Sequence, residues 1–110
     1  METPLESASV AARAALVILE TLPSRMETPR SIPILMEACN ILCSAIRVLD
    51  EGNATEGTLP LVAHIILQAA RALEVNEPPM NIPVEDRRLA VVLLWAQARK
   101  IMDLHAEGVP

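Results

Sequence analysis

Four apolar segments, each with a proline near its beginning and each followed by a polar stretch, constrain the fold of this chain most. The prolines are Pro4, Pro33, Pro60 and Pro83. A proline suits the first turn of a helix because its φ is preset and its missing N–H would have no partner there. In the last three segments an apolar residue stands on each side of the proline. We therefore predict helices over about 4–22, 33–50, 59–75 and 83–106.

Composition supports an all-helical fold. The chain has 110 residues, 52% of them apolar, with no Phe or Tyr, a single Trp and three glycines. Helices favour Ala, Leu and Met, whereas strands favour aromatic and β-branched residues. We predict the all-α class, as a compact four-helix bundle forming one domain over residues 1–110.

The amount of apolar material indicates association. A chain of this size buries only about 65% of the surface that its unfolded form exposes. A fraction of 52% apolar residues against 21% charged residues is more than a small monomer easily hides. We therefore expect a homodimer or a complex with another protein.

Charge and targeting signals narrow the partners and the location. The net charge is −5, and the nine basic residues are scattered, so we expect no direct contact with nucleic acid. The acidic beginning Met1-Glu2 is unlike a secretory signal, which needs positive charge. No apolar run approaches the 18 residues of a membrane span. We expect a cytoplasmic protein that does not enter a membrane, and the preference for Arg over Lys is compatible with a bacterial source.

Candidates for chemistry are few. Cys39 and Cys43 lie four residues apart and project onto the core side of the second helix, whereas His64 projects onto the polar side of the third. A structural zinc site needs four ligands, and no sequence pattern supplies them. The Glu-x-x-His pattern of di-metal bundles and glycine-rich phosphate loops are also missing. We predict no catalytic residue, no metal site and no cofactor, and therefore not an enzyme.

The fourth segment has an unusual division of its apolar residues. Projected at 100° per residue, its core side holds Ala90, Val91, Leu94, Ala98, Ile101 and Met102, with Trp95 at the edge. Leu89, Val92, Leu93 and Ala96 fall instead on the charged side, between the charges at the two ends. An apolar patch rimmed by charge is typical of a protein-contact surface. The alternative is that the first helix or the linker after it covers this patch.

Polar stripes on the other helices help to orient them. In the first helix the wetted side is predicted to hold Glu6, Ser9, Arg13 and Glu20. In the second helix a further apolar flank, made of Ile34, Ile41 and Val48, lies beside the polar stripe and is a second candidate contact surface. Thr58 is the predicted cap of the third helix.

One part of the sequence resembles a known type of protein. The segments ACNILCSA (38–45) and LVAHIILQAARAL (61–73) resemble the helical pair of small uncharacterised bacterial proteins of about this length. They are also similar to small helical anti-activators, which sequester quorum-sensing transcription factors. The resemblance implies a dimeric, non-enzymatic regulator that acts by protein contact, and it carries over no functional residue.

These observations predict a small acidic helical regulator that binds and blocks or sequesters a partner protein through apolar helix faces. The sequence leaves open whether the patch on the fourth helix serves self-association or a different protein. The alternative function is a carrier that holds a hydrophobic small molecule or lipid in a cavity of the bundle.

Overall fold

The computed structural model describes residues 4–22, 33–76 and 82–108, and these ranges contain four helices and no strand. The helices are α1 (Pro4–Thr21), α2 (Pro33–Asp50), α3 (Thr58–Val75) and α4 (Val84–Ala106). Their ends lie within about one residue of the bounds predicted from the prolines. The all-α class is confirmed, whereas the dimer remains a prediction.

Neighbouring helices run antiparallel around the bundle. Ser9, near the beginning of α1, bonds to Asp50 at the end of α2, and Arg87 at the beginning of α4 bonds to Leu73 near the end of α3. α4 packs against both α3 and α1, and α1 meets α3 across the diagonal. α4 therefore has neighbours on two sides and the core on a third, which leaves its fourth side facing outward.

All four helices contribute to one continuous apolar core. α1 supplies small residues, which allow its neighbours to approach closely. The largest side chains that are fully buried are Leu19, Leu35, Leu42, Leu59, Ile66, Leu73, Leu94 and Ile101. The small residues of α1 in the core are Ala8, Ala11, Ala12 and Ala15. The molecule measures 39 × 23 × 21 Å along its principal axes.

α3 is the most hydrophobic of the four helices. It has 18 residues with a mean hydropathy of 1.3. By length and composition alone, such a helix could cross a membrane. Nine of its residues are buried inside the bundle, while His64, Gln68 and Arg71 are exposed on the opposite side. Core helices share this length and composition, so the hydropathy of α3 is weak support for a membrane span.

A glycine in a left-handed conformation ends α2. Gly52 has a φ of +72°, a left-handed conformation that costs glycine little. Its N–H bonds to the carbonyl of Leu49 at 3.2 Å, and the Asn53 N–H bonds to the carbonyl of Val48 at 3.0 Å. These two bonds form a Schellman motif, which satisfies carbonyls that the end of a helix leaves open.

Thr58 does not cap α3, contrary to the prediction. The helix begins at Thr58 itself, and its N-cap Gly57 makes no side-chain capping bond. The Thr58 hydroxyl instead accepts a hydrogen bond from the Thr55 N–H at 2.9 Å. The hydroxyl is thus bonded within the preceding loop.

A polar cluster ties α1 to α2. Ser9 was predicted on the wetted side of α1, but it is buried, and its hydroxyl donates to Asp50 Oδ1 at 2.6 Å. The Arg13 guanidinium forms an ion pair with Asp50 Oδ2, and Arg13 is exposed, as predicted for the wetted side of α1. The hydrogen bond from Ser9 contributes most to holding the pKa of the Asp50 carboxyl below 3.8, and Arg13 lowers it further against an opposing desolvation.

Arg87 joins α4 to the end of α3, a role that the sequence did not indicate. Its Nη1 donates to the carbonyl of Leu73 at 2.8 Å, and its Nε donates to the carbonyl of Ile82 at 3.3 Å. The Leu73 carbonyl is one of the last four of α3, which lack partners within the helix. A half-buried cation at this end also complements the helix dipole.

Candidate functional site

The outward side of α4 carries a cluster of exposed apolar residues, which we call the outer α4 surface. It consists of Leu89, Val92, Leu93, Trp95 and Ala96. The exposed fractions of the four larger residues are 59% for Leu89, 65% for Val92, 40% for Leu93 and 52% for Trp95. The predicted candidate residues of this helix therefore do lie at the surface, and Trp95 joins them.

Burial along α4 follows the angle that each residue makes with Leu94, which is fully buried. Val91 projects about 60° from Leu94 and is half-buried. Met102 projects about 80° from Leu94 and is 40% exposed, and Trp95 projects about 100° from it and is 52% exposed. Ala90, Ala98 and Ile101 are buried, as predicted for the core side. The placement of Met102 in the core was wrong, because the strip covered by neighbouring helices is narrower than the projection assumed.

Charged residues stand at both ends of the outer α4 surface. Between residues 89 and 98 α4 has no charged side chain, a stretch of about 14 Å at 1.5 Å per residue. The exposed charges beyond it are Glu85 and Arg88 on one side and Arg99, Lys100 and Asp103 on the other. An apolar centre with a charged rim is the composition of a protein interface.

Grooves border the outer α4 surface on both flanks. On the α1 side a groove of about 170 Å³ is lined by Ile18 and Leu22 together with Leu89 and Leu93. On the α3 side a wider groove of about 700 Å³ includes Val92 in its lining. Leu93 and Val92 thus carry the apolar surface over the edges of α4 towards both neighbours.

The second predicted set of contact residues, Ile34, Ile41 and Val48, is less exposed and is divided. Ile34 is 38% exposed, whereas Ile41 and Val48 are half-buried. Ile34 and Ile41 line an open groove of about 560 Å³ between α2 and α3, with Arg71 on its α3 side, and Val48 does not line it. Since α2 and α4 occupy opposite corners of the bundle, the structure does not join this set to the outer α4 surface.

The two cysteines occupy different environments. Cys39 is half-buried, and burial raises the pKa of its thiol to about 11, with smaller contributions from the charges of Glu20 and Cys43. Cys43 is exposed, so its prediction as a core residue was wrong. It projects about 100° from the buried Leu42, outside the covered strip of α2.

Titratable groups do not converge in the described part of the chain. Among residues 4–22, 33–76 and 82–108, no three His, Cys, Asp or Glu side chains are grouped so that they could hold a metal ion. His64 is exposed, as predicted, while His105 is half-buried near the end of α4. The Nδ1 atom of His105 is buried and finds no hydrogen-bond partner.

No family model matches the chain, and no curated protein or solved structure is significantly similar to it. The outer α4 surface is therefore the feature from which a function has to be argued.

Proposed function

We propose that the protein is a small, non-enzymatic helical regulator that binds a partner protein and blocks or sequesters it. The observation that supports this most is that Leu89, Val92 and Trp95 are each more than half exposed in the middle of one helix. A transcription factor is the kind of partner implied by the resemblance to anti-activators. The outer α4 surface is the proposed binding surface.

The apolar residues of this surface supply part of the energy that a regulatory interaction requires, and the partner's own apolar surface must supply the rest. Complete burial of a large apolar side chain contributes about 1.5–3 kcal/mol, and on average roughly half of each of the four larger residues is exposed. Covering them would therefore contribute on the order of 3–6 kcal/mol before the cost of association is subtracted. Trp, the residue type at position 95, is among the types most enriched at the few interface positions that dominate binding energies.

The charged rim gives such a contact its orientation. Arg88 stands before the apolar stretch and Arg99 and Lys100 stand after it, all exposed. Charges at the edge of an interface contribute more to the association rate and to specificity than to affinity. Since Glu85 and Asp103 also stand in the rim, a partner surface with an apolar centre and both acidic and basic groups at its edges fits this arrangement.

The carrier alternative receives less support from the shape of the molecule. A bound lipid or hydrophobic small molecule is normally enclosed over most of its surface. The grooves beside α4 and the groove between α2 and α3 are open to solvent. Long open grooves between helices suit a protein side chain or helix better than an isolated apolar ligand.

A site-specific cross-link tests the proposal. A photoreactive residue replaces Val92 in one variant and Glu56, which is exposed in the loop between α2 and α3, in a control variant. In extracts of cells that produce the protein, we expect the probe at position 92 to capture one distinct second protein that the probe at position 56 does not.

A substitution in the same surface completes the test. Leu93→Glu is expected to remove that cross-link while the helical circular dichroism stays unchanged. Capture of the same proteins from both positions would contradict the proposal. So would unfolding of the Leu93→Glu variant, because it would place Leu93 in the core.

A further inference from the structure

We infer that, in the free protein, a second copy of the chain covers the outer α4 surface, with the two α4 helices antiparallel about a two-fold axis near Val92 and Leu93. The inference rests on the proposed function, in which the outer α4 surface is an association surface. The second copy would occupy the outer α4 surface when no partner protein is bound. The dimer and the partner would then exclude each other.

Glu85 and the two cations Arg99 and Lys100 lie opposite each other only in the antiparallel arrangement, and Asp103 lies three residues beyond Lys100, outside this pairing. The apolar stretch 89–96 has its centre between Val92 and Leu93, so antiparallel pairing about that centre brings Glu85 of one copy opposite Lys100 of the other. Arg99, one residue away, flanks the same carboxylate. A parallel pair would instead place Glu85 against Glu85 and Lys100 against Lys100, which is unfavourable.

The same register also matches side-chain sizes. Leu89 of one copy falls opposite Ala96 of the other, so that the longer side chain meets the smaller one. Val92 and Leu93 both lie at the level of the axis, Val92 towards the α3 flank and Leu93 towards the α1 flank. Alternation of large and small residues allows helices to interdigitate closely.

Arg88 and Trp95 find partners on the flank of the pair. The two residues lie seven apart and therefore project within about 20° of one another on α4. A two-fold axis between antiparallel helices places each flank against the same flank of the other copy. Arg88 of one copy thus lies beside the exposed Trp95 of the other, where a guanidinium and an indole ring attract each other.

The molecule is large enough for a stable dimer of this kind. A lateral face 39 Å long and 23 Å wide covers roughly 900 Å². A standard interface buries about 800 Å² on each partner. A standard interface would therefore cover nearly the whole face formed by α4 and the edges of α1 and α3, without a contribution from the groove between α2 and α3.

Charge reversal at each end of α4 tests the arrangement by sedimentation velocity. Glu85→Arg places three cations together at each end of the dimer, and the double change Arg99→Glu with Lys100→Glu places three carboxylates there. We expect each variant to raise the dimer dissociation constant by about tenfold or more.

An equimolar mixture of these two variants should form a heterodimer, because opposite charges then face each other again at both ends. At one end the arginine introduced at position 85 meets the two carboxylates introduced at positions 99 and 100. At the other end the unchanged Glu85 of one variant meets the unchanged Arg99 and Lys100 of the other.

Glu56→Arg is the matched control, since it makes the same charge change at an exposed position outside α4, in the loop between α2 and α3. It should leave the dimer intact, and circular dichroism should show the same helicity in every variant. A wild-type protein that stays monomeric up to about 1 mM would overturn the inference. So would a dimer that ignores all the α4 charge changes, because its contact would lie elsewhere.

These failures are distinguishable from failure of the proposed function. If the protein is monomeric but the probe at position 92 still captures a distinct second protein, the proposed function stands and the dimer is refuted. If the protein forms a charge-sensitive dimer and the probe at position 92 captures only further copies of the chain, the dimer stands and the proposed regulatory function is refuted.

Discussion

Replacing one exposed and one buried leucine of α4 by alanine measures whether the outer α4 surface is free of intrachain cover. Leu94 is fully buried, so Leu94→Ala removes buried methyl groups and leaves a cavity, at a cost of about 3 kcal/mol. Leu89 is 59% exposed, so Leu89→Ala loses less than half of the transfer energy and leaves no cavity, at a cost of about 0.5–1 kcal/mol.

Urea denaturation followed by far-ultraviolet circular dichroism provides the assay. Each variant is measured at a concentration at which sedimentation shows a monomer, because dimer formation adds its own stability. Thermal unfolding of the same variants should show the melting temperature falling by roughly 12–24 °C for Leu94→Ala and by roughly 2–8 °C for Leu89→Ala, for a domain near 100 residues. The dependence of the unfolding free energy on urea should be the same in both.

Equal costs for the two substitutions would refute the division of α4 into a core side and an outer surface. Such a result would mean that α1 or residues 23–32, which lie outside the described ranges, cover Leu89 within the monomer. The Leu93→Glu experiment would then lose its rationale as well.

Three further outcomes follow from individual contacts. The pKa of the Asp50 carboxyl lies below 3.8 in the folded protein. The contribution of this carboxylate to stability is therefore present above pH 3.8 and is lost as the pH falls through the folded pKa. The stability difference between wild type and Asp50→Asn, measured by urea titration at several pH values, should shrink on acidification. Arg87→Leu should cost about 1.5–3 kcal/mol in the free energy of unfolding, because the carbonyl of Leu73 loses a charged donor, and Arg87→Lys should recover part of that. At about pH 8, iodoacetamide should modify the exposed Cys43 well before Cys39, because the thiol pKa of about 11 keeps Cys39 protonated. Equal labelling rates of the two cysteines, measured by mass spectrometry, would contradict the placement of Cys39.

The helices themselves were predictable because local signals determine their ends. Pro33 and Pro83 mark where α2 and α4 begin, and Gly52 and Gly108 mark where they stop. Proline and glycine act through their own backbone geometry, so these signals need no knowledge of the rest of the fold. The class and the approximate bounds follow from them.

The width of the buried strip on each helix was not predictable to the same degree. Met102 and Cys43 project within about 100° of the core direction, and both are exposed. A helical projection gives the direction of a side chain but not how far a neighbouring helix reaches around it. The outward position of Leu89, Val92 and Ala96 was predictable because these residues project farthest from the core.

Pairings between distant residues lay beyond the sequence altogether. Ser9 bonds to Asp50 across 41 positions, and Arg87 bonds to a backbone carbonyl 14 positions away. The sequence pattern of a serine on a predicted solvent-exposed face, or of an arginine in a charged first turn, is the same whether its side chain is solvated or bonded to a distant residue. Their partners depend on which helix ends meet, which only the antiparallel packing determines.

The exposure of Trp95 gives the protein a built-in optical reporter. With no Tyr and no Phe in the chain, Trp95 is the sole source of intrinsic fluorescence. Because it lies on the outer α4 surface and not in the core, its emission should respond to whatever covers that surface more than to unfolding of the bundle. Iodide should quench it readily in the uncovered protein and poorly in a complex, which allows occupancy to be titrated on the native chain without any label.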